Sequence, residues 1–157
     1  MKTKVIISLF AILLLASCGQ STKKETTILN TNPEKQTTEK LHVYYFYGTR
    51  RCPTCNAVEE NLKKLIAEKF ATQIKDGSLA VSYLNWEESA NEALVEKFEI
   101  YSSSLILVKY LDGKEEATDL TEFAFSYARK QPDFFRNSMQ DSIQKMLLYG
   151  TLTKLLR

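Results

Sequence analysis

The 157-residue chain is short of several things, and each shortage removes a class of function. It has one histidine, His42, so a set of histidine ligands for a metal is excluded. It has five glycines and no GxGxxG arrangement, which removes the fingerprint of a dinucleotide site. Neither charge predominates: 21 Lys and Arg stand against 19 Asp and Glu, and without Lys2 and Lys4 of the N-terminal leader 19 remain of each. A nucleic-acid-binding surface needs an excess of cations to displace counterions from phosphates, and none is left. There is no internal repeat. Of the three cysteines, Cys18 directly follows the leader, so a scaffold stapled by several disulfides is excluded and any bridge within the domain joins Cys52 to Cys55. A ring that small constrains the unfolded chain little, which favours a chemical role for the pair over a stabilising one.

The leader itself is informative. Residues 1–17 carry Lys2 and Lys4 followed by the apolar run 5–16, too short to span a bilayer as a permanent helix and suited to a signal peptide. Its end, Leu15-Ala16-Ser17-Cys18, resembles a bacterial lipoprotein box. That resemblance implies lipidation at Cys18, hence a mature chain in the cell envelope, anchored to a membrane and facing the periplasm, where disulfides persist. No residue distinguishes inner from outer membrane. Residues 18–40 are polar, rich in Thr and Lys, with Ile28 and Leu29 their only large apolar side chains, and read as a flexible tether. Residues 41–157 are the length of one domain with a real core, with a helical extension from about 132.

Cys52-Pro53-Thr54-Cys55 lies where a strand-like run, 43–47, gives way to a helix-like one. With Pro53 as first helical residue, Cys52 becomes the N-cap and Cys55 falls one turn in. The unpaired N–H groups of the helix start then favour a thiolate on Cys52, and Arg50 and Arg51 add positive charge immediately upstream. The thiolate is the attacking species, so Cys52 is the expected nucleophile and Cys55 the residue that resolves the mixed disulfide.

Periodicity supplies the rest. Residues 41–47 read as a buried strand. Val58, Leu62, Leu65 and Ile66 recur at helical spacing, predicting one amphipathic helix from Pro53 to about Lys75, closed near Asp76-Gly77. Residues 78–85 alternate into a second strand. Residues 88–98 predict a helix with Ala90, Ala93, Leu94 and Phe98 inward. A third strand, 105–110, turns at Asp112-Gly113 into a polar fourth, 114–120, suited to a sheet edge. Leu120, Phe123, Ala124, Tyr127 and Ala128 mark a helix ended by Pro132, and Phe135, Met139, Ile143 and Met146 mark another. Leu147, Leu148, Leu152, Leu155 and Leu156 give its end an apolar stripe expected to pack on the domain. Tyr44, Tyr45, Phe46 and Tyr47 are expected mostly in the core, with only those at the strand's end able to line a substrate groove, and Trp86 is expected to pack rather than bind.

Strand, helix, strand, helix, hairpin, helix, with CxxC after the first strand, resembles the thioredoxin fold over residues 41–131. The resemblance implies an α/β architecture: a four-stranded mixed sheet ordered 4-3-1-2, flanking helices and here a C-terminal helical extension. The segments Gly48-Thr49-Arg50-Arg51-Cys52-Pro53-Thr54-Cys55 and Phe123-Ala124-Phe125-Ser126-Tyr127-Ala128-Arg129 are similar to a narrower thioredoxin-like family, ArsF, associated with arsenic-resistance gene clusters and often labelled a nitrophenyl compound nitroreductase subunit. No flavin or nicotinamide site accompanies that label here, and no cofactor is expected.

The chain departs from the thioredoxin pattern twice. The cis-proline that faces the cysteines is replaced by Ser102-Ser103-Ser104, so Ser103 or Ser104 is expected to offer backbone groups to a partner. A cis bond without proline costs roughly 3 kcal/mol, which predicts a trans peptide. The buried carboxylate six residues before the first cysteine is replaced by Phe46, leaving water, Tyr45, Tyr47 or Glu59 to move the Cys55 proton. The expected function is thiol-disulfide oxidoreduction on a protein disulfide or dithiol partner, recycled by a membrane electron donor. The alternatives are capture of a soft metalloid of the arsenite type by the reduced pair, favoured by loss of the metal-excluding proline, or a redox-silent adaptor using the apolar C-terminal helix. His42 is expected to be an ordinary strand residue, and no metal ligand is assigned.

Overall fold

The computed structural model describes residues 40–111 and 113–155, the last seven of these as helical backbone only. The leader, residues 18–39 of the tether with Cys18, Asp112 and residues 156–157 lie outside the described residues. Among those described, no helix is long and apolar enough to cross a membrane.

The strand β1 (Lys40–Tyr47) is followed by α1 (Pro53–Lys69), α2 (Ala71–Asp76) and β2 (Leu79–Asn85). A single 3-10 turn, Ser89–Asn91, leads into α3 (Glu92–Lys97). The strands β3 (Ser104–Leu111) and β4 (Lys114–Asp119) form a hairpin, and α4 (Thr121–Tyr127) and α5 (Pro132–Leu155) close the chain. The sheet order is β2-β1-β3-β4, with β1 parallel to β2 and antiparallel to β3, and β4 antiparallel at the edge. This is the order the thioredoxin resemblance implies, and with helices on both faces the fold is an α/β thioredoxin-like one. Every residue of β4 is exposed, as a polar edge strand requires.

Alternation along β1 divides the interior in two. Leu41, Val43 and Tyr45 face a core shared with Val58, Leu62 and Leu65 of α1, Leu105 and Leu107 of β3, Ala124 and Ala128, and Phe135, Met139 and Ile143 of α5. Tyr44 and Phe46 face the other side, with Ile100, Ile106 and Val108, covered by Leu94, Val95, Phe98 and Trp86. The C-terminal helix therefore belongs to the main core. Leu147 packs against that core, whereas Leu148 is exposed. Asn61 links three helices: its amide donates to the Ala128 carbonyl at 3.1 Å, and Arg136 of α5 donates to its oxygen.

Two elements differ from the periodicity. The expected helix over 53–75 breaks at Phe70, whose backbone leaves the helical region at φ −127°, ψ 16°. The 3.6-residue repeat through Val58, Leu62 and Leu65 would carry Lys69 inward next. The break instead turns the Phe70 ring, 1 % exposed, into the core. In the expected helix over 88–98, the 3-10 turn advances about three residues per revolution and so shifts the phase of the α-helical residues after it. Ala90 and Ala93 are consequently exposed, and Val95 joins Leu94 and Phe98 against the core.

Candidate active site

The end of β1 and the start of β3 meet because the two strands are antiparallel: Phe46 pairs with Ser104 and Tyr45 with Leu105. The loop after β1 and the serine segment before β3 therefore converge at one end of the sheet. Gly48 begins that loop, where a Cβ would come within 3.2 Å of Trp86 Nε1 and 3.3 Å of Glu87 Oε1. The loop is pinned to the segment after β2: the Thr49 amide donates to Glu87 Oε2 at 3.1 Å, and Asn85 Nδ2 donates to Thr49 Oγ1 at 3.0 Å. Hydrogen bonds from Thr49 hold the Glu87 carboxyl below its ordinary range. The roles of Gly48, Asn85 and Glu87 depend on which loops the sheet brings together, and no local pattern announces them.

Cys52 is the N-cap of α1, extended at φ −98°, ψ 158°, with Pro53 opening the helix. Its sulfur accepts the Cys55 backbone N–H at 3.0 Å, the contact by which a helix start stabilises negative charge. Cys52 and Cys55 form a disulfide across a Cα separation of 5.0 Å. Cys52 is half-buried, and Cys55 is 6 % exposed. A pair of this kind is compatible with thiol redox chemistry, and the more exposed of the two cysteines is the helix cap.

The two arginines upstream of Cys52 have contacts of their own. The Arg51 guanidinium forms an ion pair with Glu59 and lies 4.2 Å from the centroid of the Tyr47 ring. The same carboxylate is shared with Lys63, at 2.6 Å, so one negative charge stands between two cations. Arg50 is exposed, and its charge acts on Glu87. At the helix start the contact observed at the Cys52 sulfur is the Cys55 backbone N–H.

The three side chains considered for moving the Cys55 proton have the following surroundings. The Tyr45 hydroxyl donates to the Cys55 carbonyl at 2.8 Å, and burial pushes its pKa up to about 12. Tyr47 lies under Arg51. Burial raises the Glu59 carboxyl, but hydrogen bonds from Lys63 and Arg51, with their charges, bring it below the ordinary range. Phe46 is fully buried on the opposite face of the sheet.

Of the two serines, Ser103 faces the pair, with its Oγ 3.9 Å from Cys55 Sγ. Ser104 turns back, donating from its hydroxyl to the Ser102 carbonyl at 3.0 Å. No described peptide bond is cis. His42 is remote from the cysteines along β1, stacked on Tyr44 and 2.8 Å from Ser82 Oγ. Among the described residues no three His, Cys, Asp or Glu side chains come together as a metal site.

No family model matches the chain, and no curated protein does. Among solved structures it is similar to one described as the structure of a malarial protein, at 18 % identity and a TM-score of 0.37, covering 55 % of this chain and 93 % of that one.

Proposed function

We propose that the chain is a thiol-disulfide oxidoreductase, held by a lipid on Cys18 to a membrane of the cell envelope and facing the periplasm. The observation that carries this reading is the Cys52–Cys55 disulfide with Cys52 as the helix cap, its sulfur receiving a backbone N–H. The leader and the Leu15-Ala16-Ser17-Cys18 box support the location, and residues 48–55 and 123–129 support a place beside the ArsF group.

In the reduced protein the Cys52 thiolate attacks one sulfur of a partner disulfide. A Cys52–partner bond forms, and the second partner sulfur leaves with the electron pair and takes up a proton. Cys55 then attacks Cys52, closing the intramolecular disulfide and releasing the first partner sulfur. The partner gains two electrons and the protein loses two. A dithiol of a membrane electron donor restores the reduced pair by the same exchange in reverse.

The test is equilibration against graded glutathione buffers, with thiols trapped by a mass-tagged maleimide and labels counted on Cys52 and Cys55. One two-electron transition is expected. A potential near about −270 mV makes the protein a reductant and one near about −120 mV an oxidant. The absence of a transition in either direction overturns the reading.

A further inference from the structure

We propose that the hydroxyl of Ser103 stabilises the Cys55 thiolate while the mixed disulfide is resolved, and is therefore a catalytic residue of the exchange; this deepens the thiol-exchange reading and rests on it. Cys55 must ionise to attack Cys52, yet it is 6 % exposed, and burial disfavours a thiolate. A hydrogen-bond donor at its sulfur offsets that penalty.

The surrounding groups narrow the choice. On α1, the Cys55 N–H is directed at Cys52 Sγ, and Glu59 is held by Arg51 and Lys63. From β1, the Tyr45 hydroxyl is given to the Cys55 carbonyl. From the segment entering β3, Ser103 Oγ lies 3.9 Å from Cys55 Sγ, within reach of a hydrogen bond to sulfur. Ser104 is turned to Ser102. The pairing of Phe46 with Ser104 holds Ser103 one residue beyond the ladder, so the hydroxyl is positioned by the sheet.

In the step proposed, the Cys55 thiol passes its proton to water and the Ser103 O–H donates to the resulting thiolate. The thiolate attacks Cys52 Sγ; the Cys55–Cys52 bond forms and the Cys52–partner bond breaks. The partner sulfur leaves with the electron pair and is protonated by water. The dithiol is oxidised by two electrons and the partner reduced by two.

The test uses the full chain carrying Cys18→Ser and Cys52→Ser, so that Cys55 is its one thiol, and follows iodoacetamide alkylation against pH. Ser103→Ala is expected to raise the Cys55 midpoint by about one pH unit, and Ser103→Thr, which keeps the hydroxyl, to restore it. With both cysteines present, Ser103→Ala is expected to slow decay of a preformed mixed disulfide about threefold at neutral pH, the roughly tenfold smaller thiolate fraction being partly offset by the greater nucleophilicity of the more basic thiolate. An unchanged midpoint in the alanine variant overturns the proposal. The midpoint needs no turnover, so it judges Ser103 even if the unaltered pair shows no transition against glutathione, which is the separate failure of the exchange reading.

Discussion

The hydroxyl of Tyr45 donates a hydrogen bond to the carbonyl oxygen of Cys55 across 2.8 Å, tying the central strand to the first turn of the helix that carries the disulfide. Tyr45 is fully buried, and its pKa, raised by burial to about 12, keeps the proton in place at any physiological pH. Tyr45→Phe removes the bond and keeps the ring. The carbonyl retains its place in the helix, so the expected loss is about 1 kcal/mol in urea unfolding. The glutathione equilibrium constant should move less than tenfold, because the bond reaches the backbone and not the sulfur. A large shift in that constant would show Tyr45 acting on the thiol itself.

Glu59 joins Arg51, beside the N-cap, to Lys63 one turn further along α1. While that carboxylate is ionised it offsets the Arg51 charge. Glu59→Gln is therefore expected to lower the Cys52 midpoint by a few tenths of a pH unit, through an uncompensated cation nearby, and to cost about 0.5 to 1 kcal/mol of stability for exposed and half-buried pairs. Alkylation of Cys52 against pH, in a chain carrying Cys55→Ser, measures the first. A rise in the midpoint would contradict this account of Arg51.

Much of the fold was legible from residues alone. Alternation through Leu41, Val43 and Tyr45 and the spacing of Val58, Leu62 and Leu65 are enough to place a strand and a helix on one core, and Pro53 after Cys52 marks the cap. The features that escaped depended on geometry set elsewhere. Phe70 fits a continuing helix in sequence, and only the core around it turns the chain. Ser103 and Ser104 are equivalent in sequence, but Ser104 ends the ladder opposite Phe46 while Ser103 lies one residue beyond it, so where the pairing of β1 with β3 stops decides between them. Arg51 and Glu59 are eight residues apart across a loop and a helix start, a spacing with no meaning until the loop is folded.

His42 makes stability depend on pH. Burial, with the Lys40 charge adding to it, lowers its pKa from 6.5 to about 4 in the folded protein. Between those values the unfolded chain binds a proton that the folded chain refuses. The contribution is thus present above pH 6.5 and lost as the pH falls toward about 4, with no further loss below. The ring is only half-buried, so solvent reduces the effect to about 1 kcal/mol between pH 7 and pH 5. His42→Gln removes the titration. The difference in stability between the two chains, measured by urea unfolding at both pH values, should shift in favour of the glutamine variant at pH 5. A constant difference would mean that the ring protonates freely when folded.

Glu99 follows α3 in the left-handed region, at φ 51°. Its N–H reaches the Glu96 carbonyl at 3.2 Å, and the Ile100 N–H reaches the Val95 carbonyl at 2.9 Å. These are the paired bonds that end a helix with a left-handed residue, and Ile100, 4 % exposed, completes the pattern by entering the core beside Val95. Glycine is the residue suited to that position, since a Cβ there costs about 1 kcal/mol or more. Glu99→Gly relieves the crowding but gives the unfolded chain more freedom, so the expected net gain is about 0.5 kcal/mol. Glu99→Ala is the control, because it removes the same charge and keeps the Cβ. If alanine stabilises as much as glycine in thermal unfolding, the gain comes from charge; if glycine alone stabilises, the strain lies in the backbone that delivers Ile100 to the core.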